Sequence, residues 1–139
     1  MVRVTRAIEF SASLRYCAKG LSDDENRKLF GLAAGQHGHN YRLEVSVRGE
    51  PDPMTGMVIN LTDLKQILQD EVMARFDHRD LNRDTPYFAD VPPTPENLAC
   101  VIHEFVVAAL PEGMFDRLRL YQDADLYVDV IGDAIGEPA

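Results

Sequence analysis

A chain of 139 residues supports one hydrophobic core and is too short for two ordinary domains, so a single domain spanning residues 1–139 is expected. Its 45% hydrophobic and 27% charged residues exclude a disordered chain, and no apolar run approaches the roughly 18 to 20 residues that cross a bilayer. A net charge of -9 opposes binding to nucleic acid or to an anionic membrane, which leaves small molecules as ligands.

Met1 to Arg6 alternates apolar and polar residues and lacks the apolar centre of a signal peptide. The two cysteines, Cys17 and Cys100, form no spacing pattern, so a disulfide framework is not expected and a cytoplasmic location is. Val2 to Leu14 alternates as one long strand. Ser22 to Lys28 is charged and reads as a surface excursion with a short helix. From His39 to Val47 the alternation returns, with Tyr41, Leu43, Val45 and Val47 on one face and Asn40, Arg42, Glu44 and Ser46 on the other.

Gly49 to Gly56 is dense in turn residues and reads as a loop. Asn60 then opens a helix to about Arg75, with Leu64, Ile67, Leu68 and Val72 at helical spacing. Asp77 to Pro93 is irregular. Thr94 is a good N-cap with Pro95 at the first helical position, and the helix it opens shows Leu98, Ile102, Phe105, Val106 and Ala109 on its apolar face before stopping at Pro111. Arg117 to Gln122 and Leu126 to Ile131 close the chain as strands. The fold class is α+β, in the order ββααββ: an antiparallel four-stranded sheet with two helices on one face. Such a sheet leaves open edges, which oligomerisation can close.

Two short segments point to chemistry. In His37-Gly38-His39, side chains two apart in extended backbone share a face, and neutral imidazole is a common metal ligand. Two histidines fall short of the three protein ligands a catalytic zinc takes. Asp77-His78 sets a carboxylate beside an imidazole, the pairing that general-base catalysis uses, although a turn would explain it equally well. His103 reads as a structural or surface residue, Cys100 as a small buried hydrophobe, and Cys17 as a partly exposed thiol without a clear activator.

Several motifs occur together and in order: Phe10-Ser11-Ala12-Ser13, His37-Gly38-His39-Asn40-Tyr41, Asp52-Pro53-Met54-Thr55-Gly56, Asn60-Leu61-Thr62-Asp63, Asp77-His78, Pro86-Tyr87-Phe88-Ala89-Asp90 and Thr94-Pro95-Glu96-Asn97. From about residue 4 to residue 130 the chain resembles the 6-pyruvoyl-tetrahydropterin synthase family, which includes 6-carboxy-tetrahydropterin synthases. The resemblance implies a T-fold, in which trimers close a barrel and pair into homohexamers with active sites between subunits. It implies a lyase that eliminates triphosphate from 7,8-dihydroneopterin triphosphate, using a zinc held by three histidines, a cysteine with an Asp-His pair, and a glutamate that anchors the pterin.

Carried over residue by residue, the resemblance assigns His37 and His39 to two zinc ligands and puts Leu14 at the third. Ala33 stands near the place of the cysteine, and Gln122 at the pterin-anchoring glutamate. Asp77 and His78 match the proton-transfer pair, while Thr94 and Glu96 belong with Gln122 at the substrate. Leucine has no lone pair, so zinc is expected to bind weakly or not at all. Gln122 suits a donor-acceptor edge, whereas a carboxylate accepts twice. The reading is an enzyme repurposed for acid-base chemistry on a small heterocyclic or pterin-like substrate. The alternatives are a non-catalytic pterin-binding or structural paralogue, and a conventional synthase with a substitute zinc ligand.

Overall fold

The computed structural model describes residues 1–132, and residues 133–139 of the expected domain lie outside the described residues. Five strands form one sheet: β1 (Val2–Leu14), β2 (His37–Gly49), β3 (Arg79–Asp80), β4 (Phe115–Asp123) and β5 (Leu126–Ile131). Their order is β3-β1-β2-β4-β5, and the four long strands pair antiparallel as the alternation predicts. The sheet differs from the expected four strands by β3, which runs parallel to Ala12 and Ser13 on the outer side of β1. Two residues are too short to show a period, so that segment read as irregular.

The sheet is two-sided. Phe10, Ala12 and Leu14 of β1, Tyr41, Leu43, Val45 and Val47 of β2, and Leu118 and Leu120 of β4 are buried beneath the helices. The opposite face is polar. Thr5 and Ser46 share a hydrogen bond of 2.6 Å, Arg117 lies 3.8 Å from Glu44, and Arg119 makes a two-pronged pair with Asp129 at 2.8 and 3.0 Å.

Local chemistry sets the helix ends. Helix α1 (Asp23–Phe30) opens on a capping box, in which the Ser22 hydroxyl accepts from the Glu25 N–H and the Glu25 carboxylate accepts from the Ser22 N–H. Helix α2 (Leu61–Leu68) is capped by Asn60, runs through a π-helical turn at Gln69–Met73, and ends as α3 (Ala74–Phe76). The buried residues there are Leu64, Leu68, Val72 and Phe76, each four apart. An α-helix turns in 3.6 residues, so a four-residue repeat drifts off its face by about 40° per turn. The wider π turn takes up part of that drift and keeps Val72 and Phe76 on the core. Thr94 caps α4 (Pro95–Ala109), with Pro95 in its first turn. Its buried face is Leu98, Ala99, Ile102 and Val106, whereas Ala109 is exposed and Phe105 only partly buried beneath the Arg75 guanidinium.

Two edges stay open among the described residues. The outer side of β1 has strand partners only at Ala12 and Ser13, and the outer side of β5 has none. No described helix is long and apolar enough to cross a membrane. Leu118→Ala, at a fully buried strand position, should cost about 2 to 5 kcal/mol in urea unfolding. Leu32→Ala, at 99% exposure, should stay within about 0.5 kcal/mol, and equal costs would contradict this core.

Candidate functional site

Odd-numbered residues of β2 face the helices, so His37 and His39 continue the row that Tyr41 begins. The two imidazoles meet edge to face with ring centroids 5.1 Å apart, and His39 meets Tyr41 in the same way at 5.7 Å. His37 Nδ1 lies 2.8 Å from the Gly35 carbonyl oxygen, which can only accept, so Nδ1 carries the hydrogen and Nε2 the lone pair. Burial, and then the neighbouring His37, push the His39 imidazole below its ordinary range against the opposing pull of Asp123. Gly38 continues the strand in regular pairing. It sits in register opposite Ser13, and a Cβ there would meet the Ala12 carbonyl oxygen at 3.2 Å.

In the same register Leu14 lies directly opposite His37, and Ala12 opposite His39. Leu14 is fully buried on the face that carries both imidazoles. A leucine side chain donates no electron pair. Among the described residues, no three His, Cys, Asp or Glu side chains converge to hold a metal ion. The donor set of this chain therefore does not fit a zinc held by three histidines.

Gln122 alternates onto the helix face of β4 after Leu118 and Leu120, and it closes this end of the sheet. Two neighbours that sequence reasoning missed lie beside it. Tyr16 OH is 3.5 Å from Gln122 Oε1, and Asp123 Oδ2 is 3.5 Å from Gln122 Nε2. The Tyr16 ring meets His37 edge-on at 5.8 Å, and its backbone N–H donates to the Ala33 carbonyl at 2.8 Å. Burial, and then the charge of Glu96, push the Tyr16 hydroxyl above the usual tyrosine range, which puts Glu96 within electrostatic reach of this cluster. The Thr94 hydroxyl accepts from the Asn97 N–H at 3.2 Å as the α4 cap, and its own hydrogen is left to donate. Tyr41 is 1% exposed, and its buried hydroxyl has no hydrogen-bond partner among the described residues.

Asp77 and His78 sit apart from this cluster, on the outer edge of β1. His78 is the one described non-glycine residue with positive φ, at 58°. That left-handed turn brings two adjacent side chains together, with His78 Nδ1 3.0 Å from Asp77 Oδ1. The dipeptide also completes the strand edge. Asp77 Oδ1 accepts from the Ser11 N–H at 3.0 Å, and the His78 N–H donates to the Ser11 carbonyl at 2.7 Å. Burial alone would raise the Asp77 carboxyl, but the Ser11 N–H and His78 outweigh it and hold the carboxyl below the usual range. The His78 side chain is 83% exposed. It shares an open depression of about 390 Å³ with His39, Ser11, Ser13 and Asn40.

The remaining candidates fall outside these groups. Cys100 is exposed rather than buried, because it lies two positions and some 200° round the helix from Leu98. Cys17 is half-buried, with the Asn26 amide 3.6 Å from its sulfur. His103 packs on Phe115 with centroids 4.8 Å apart. Ala33 supplies only its backbone to the cluster.

Comparison with known proteins places this arrangement. Residues 3–132 match the profile described as 6-pyruvoyl tetrahydropterin synthase. The chain belongs to the 6-pyruvoyl tetrahydropterin synthase family. It is 48% identical over 122 residues to the human 6-pyruvoyl tetrahydrobiopterin synthase, covering 86% of this chain and 84% of that one. The solved structure of the Caenorhabditis elegans 6-pyruvoyl tetrahydropterin synthase superposes with a TM-score of 0.88 at 31% identity, covering 95% of this chain and 96% of that one. The synthase-family likeness also extends to a dihydroneopterin monophosphate aldolase of Pyrococcus furiosus, 35% identical over 95 residues, 68% of this chain and 76% of that one.

Two measurements check the geometry of this family member. After equilibration with zinc chloride and gel filtration, the unmodified protein should retain well under one zinc per chain, and Leu14→His should raise that figure. Full occupancy without the substitution would contradict the donor count. Asp77, with its folded pKa lowered, stabilises the fold fully above the ordinary carboxylate range, and that contribution is lost as pH falls through the folded pKa. Asp77→Asn should therefore be less stable than the parent at pH 7, and the gap in urea midpoint should narrow by pH 3. A gap independent of pH would show that the Asp77 charge does not matter to the edge.

Proposed function

We propose that this family member is an acid-base enzyme that acts on a pterin-like heterocycle held between subunits, and that it works without a zinc bound by three histidines. The observation that carries the reading is the Asp77–His78 contact of 3.0 Å, made through a left-handed residue whose side chain stands exposed. Strained backbone at a polar, exposed pair is characteristic of sites where geometry serves chemistry. The Asp77 carboxylate accepts from Nδ1–H of His78, which leaves the Nε2 lone pair on the solvent side as the base. When Nε2 takes a proton from carbon or oxygen of the substrate, the imidazolium that forms is stabilised by the same carboxylate. Returning that proton to another carbon completes an isomerisation, giving it to a departing oxygen as the C–O bond breaks completes an elimination, and giving a hydroxyl's proton to the carbon released by C–C cleavage completes an aldol-type cleavage. His37, with its lone pair on Nε2, and neutral His39 serve as additional acceptors and donors to the substrate's side chain. Glu96, within electrostatic reach of Tyr16, and Thr94 at the α4 cap are assigned to the substrate with them.

Pterin-like chemistry comes from the relatives, whose printed names describe tetrahydropterin synthases and a dihydroneopterin monophosphate aldolase. That one family holds both reactions supports a proton-transfer site whose outcome depends on its surroundings. A second reading, the conventional synthase reaction on 7,8-dihydroneopterin triphosphate, is favoured by the 48% identity to the human protein. It requires a substitute for the ligand missing at Leu14.

The oligomer belongs to this reading, because within one chain the depression that His78 shares with His39 is lined by neither His37 nor Gln122. The open edges and the exposed Val2, Leu126, Tyr127 and Ile131 beside them favour closure with further copies. Light scattering near neutral pH should give a trimer or a hexamer, and a monomer at micromolar concentration would remove the interface site. On a pteridine that the protein turns over, beginning with 7,8-dihydroneopterin triphosphate, His78→Ala should lower the rate about 10² to 10⁴-fold with the urea midpoint little changed. Full activity in that variant, or no turnover of any pteridine by the parent, would favour a non-catalytic pterin-binding paralogue.

A further inference from the structure

The amide of Gln122 lies between two groups of opposite character. Asp123 Oδ2, 3.5 Å from Nε2, is a carboxylate oxygen with lone pairs only, so the NH₂ end of the amide faces it. Tyr16 OH, 3.5 Å from Oε1, has a hydrogen to donate, so the carbonyl end faces the phenol. Both neighbours favour the same one of the two orientations that an amide can take. Tyr16 is itself fixed, by its N–H on the Ala33 carbonyl at 2.8 Å and by edge contacts with Phe30 at 5.6 Å and His37 at 5.8 Å. A primary amide carries two acceptor lone pairs and two donor hydrogens. With one of each directed to Tyr16 and Asp123, one acceptor and one donor remain side by side for a ligand.

We propose that Gln122, oriented by Tyr16 and Asp123, selects a pteridine through a lactam edge, an N–H beside a C=O, so that the pocket prefers a 2,4-dioxopteridine to a 2-amino-4-oxopteridine. This rests on the pterin-like pocket proposed above and names the kind of pteridine it takes. At its C2–N3 edge a 2-amino-4-oxopteridine presents two donors, one of which meets the Gln122 NH₂ group donor to donor. The 2,4-dioxo ring presents C2=O and N3–H at that edge, and both are matched. The amino ring recovers a lactam pairing only by moving to its N3–C4 edge, which turns the substituent at C6 away from His37 and His39. Tyr16 is a positioning residue here, acting through the Gln122 amide.

The test is calorimetric titration of the purified full-length oligomer with two rings that carry the same C6 substituent, 6-hydroxymethyl-2,4-dioxopteridine and 6-hydroxymethyl-2-amino-4-oxopteridine. The parent should bind the dioxo ring about ten- to a hundredfold more tightly, the effect of one unmatched buried donor. Gln122→Glu, which accepts twice, should reverse the preference. Tyr16→Phe, which leaves Asp123 alone to orient the amide, should narrow the ratio of the two affinities while leaving the urea midpoint unchanged. A residue that only packs would shift both affinities together and leave their ratio alone. Equal binding, or a preference for the amino ring, overturns the lactam selection and leaves the pocket reading standing. Binding of neither ring overturns both. A Tyr16→Phe protein with its ratio intact removes Tyr16 from the selection.

Discussion

The register between β1 and β2 is the constraint on which the rest of the structure depends. Thirteen residues of each strand pair without a break, from Val2 opposite Gly49 to Leu14 opposite His37. Because side chains alternate, a slip of one residue would move a whole strand's apolar set from the core to the charged face. Tyr41, Leu43, Val45 and Val47 hold that register by burial, and His37 and His39 inherit their direction from it. The imidazoles are thus aimed by four buried side chains further along the same strand. The same register sets Leu14, whose side chain has no lone pair, across from His37.

A second dependence runs through the β1 edge. Helix α2 reaches Asp77 only after its π turn, which lets the apolar residues four apart stay on the core. The chain then turns left-handed at His78, at an energetic cost that one non-glycine residue bears. Two hydrogen bonds to Ser11 and the two-residue pairing of β3 offset it. The carboxylate takes the place of a strand carbonyl and the His78 N–H that of a strand amide. The pair proposed for proton transfer is therefore also the piece that closes part of an open edge, at a boundary where another chain can approach.

Much of this was legible in the sequence, because long periods are hard to mistake. The alternation of β1 and of Tyr41 to Val47, the Thr94 cap and the span Leu126 to Ile131 all stand as read. What was not legible depends on contacts between residues distant in sequence. Tyr16 meets Gln122 across 106 positions, and Asp77 meets Ser11 across 66. No local pattern reports either. Cys100 was misread because its phase on α4 was weighed by residue type rather than by angle. The left-handed His78 was missed because only the tertiary frame, and not the preference of histidine, sets its conformation. Asp123 lies just past the strand read as Arg117 to Gln122, yet its carboxylate lies 3.9 Å from His39 Nδ1.

His39, the two phenols and the Gln122 amide form an uncharged end of the sheet, bordered by the carboxylates of Asp123 and Glu96 and separate from the charged Asp77. His39 is held uncharged by burial and by His37, and the phenols of Tyr16 and Tyr41 are held protonated by burial. Gln122 carries no charge. A site of this kind recognises by matching donors with acceptors, where errors cost more than the correct pairs contribute. The unpartnered Tyr41 hydroxyl fits that logic, since a buried donor without a partner is costly until a ligand or water meets it. Asp77–His78 is the converse, a solvated ion-pair former that gains from charge rather than avoiding it. A zinc ion would impose a strong positive charge on the neutral end and polarise whatever oxygen it held. In the proposed reaction, without that charge, the His37–His39 end orients the substrate, and the imidazolium formed when His78 takes the proton is left to stabilise developing negative charge. The reaction that suits such a division is one in which a proton leaves and returns near a carbonyl or imine, with the ring held by hydrogen bonds at the far edge.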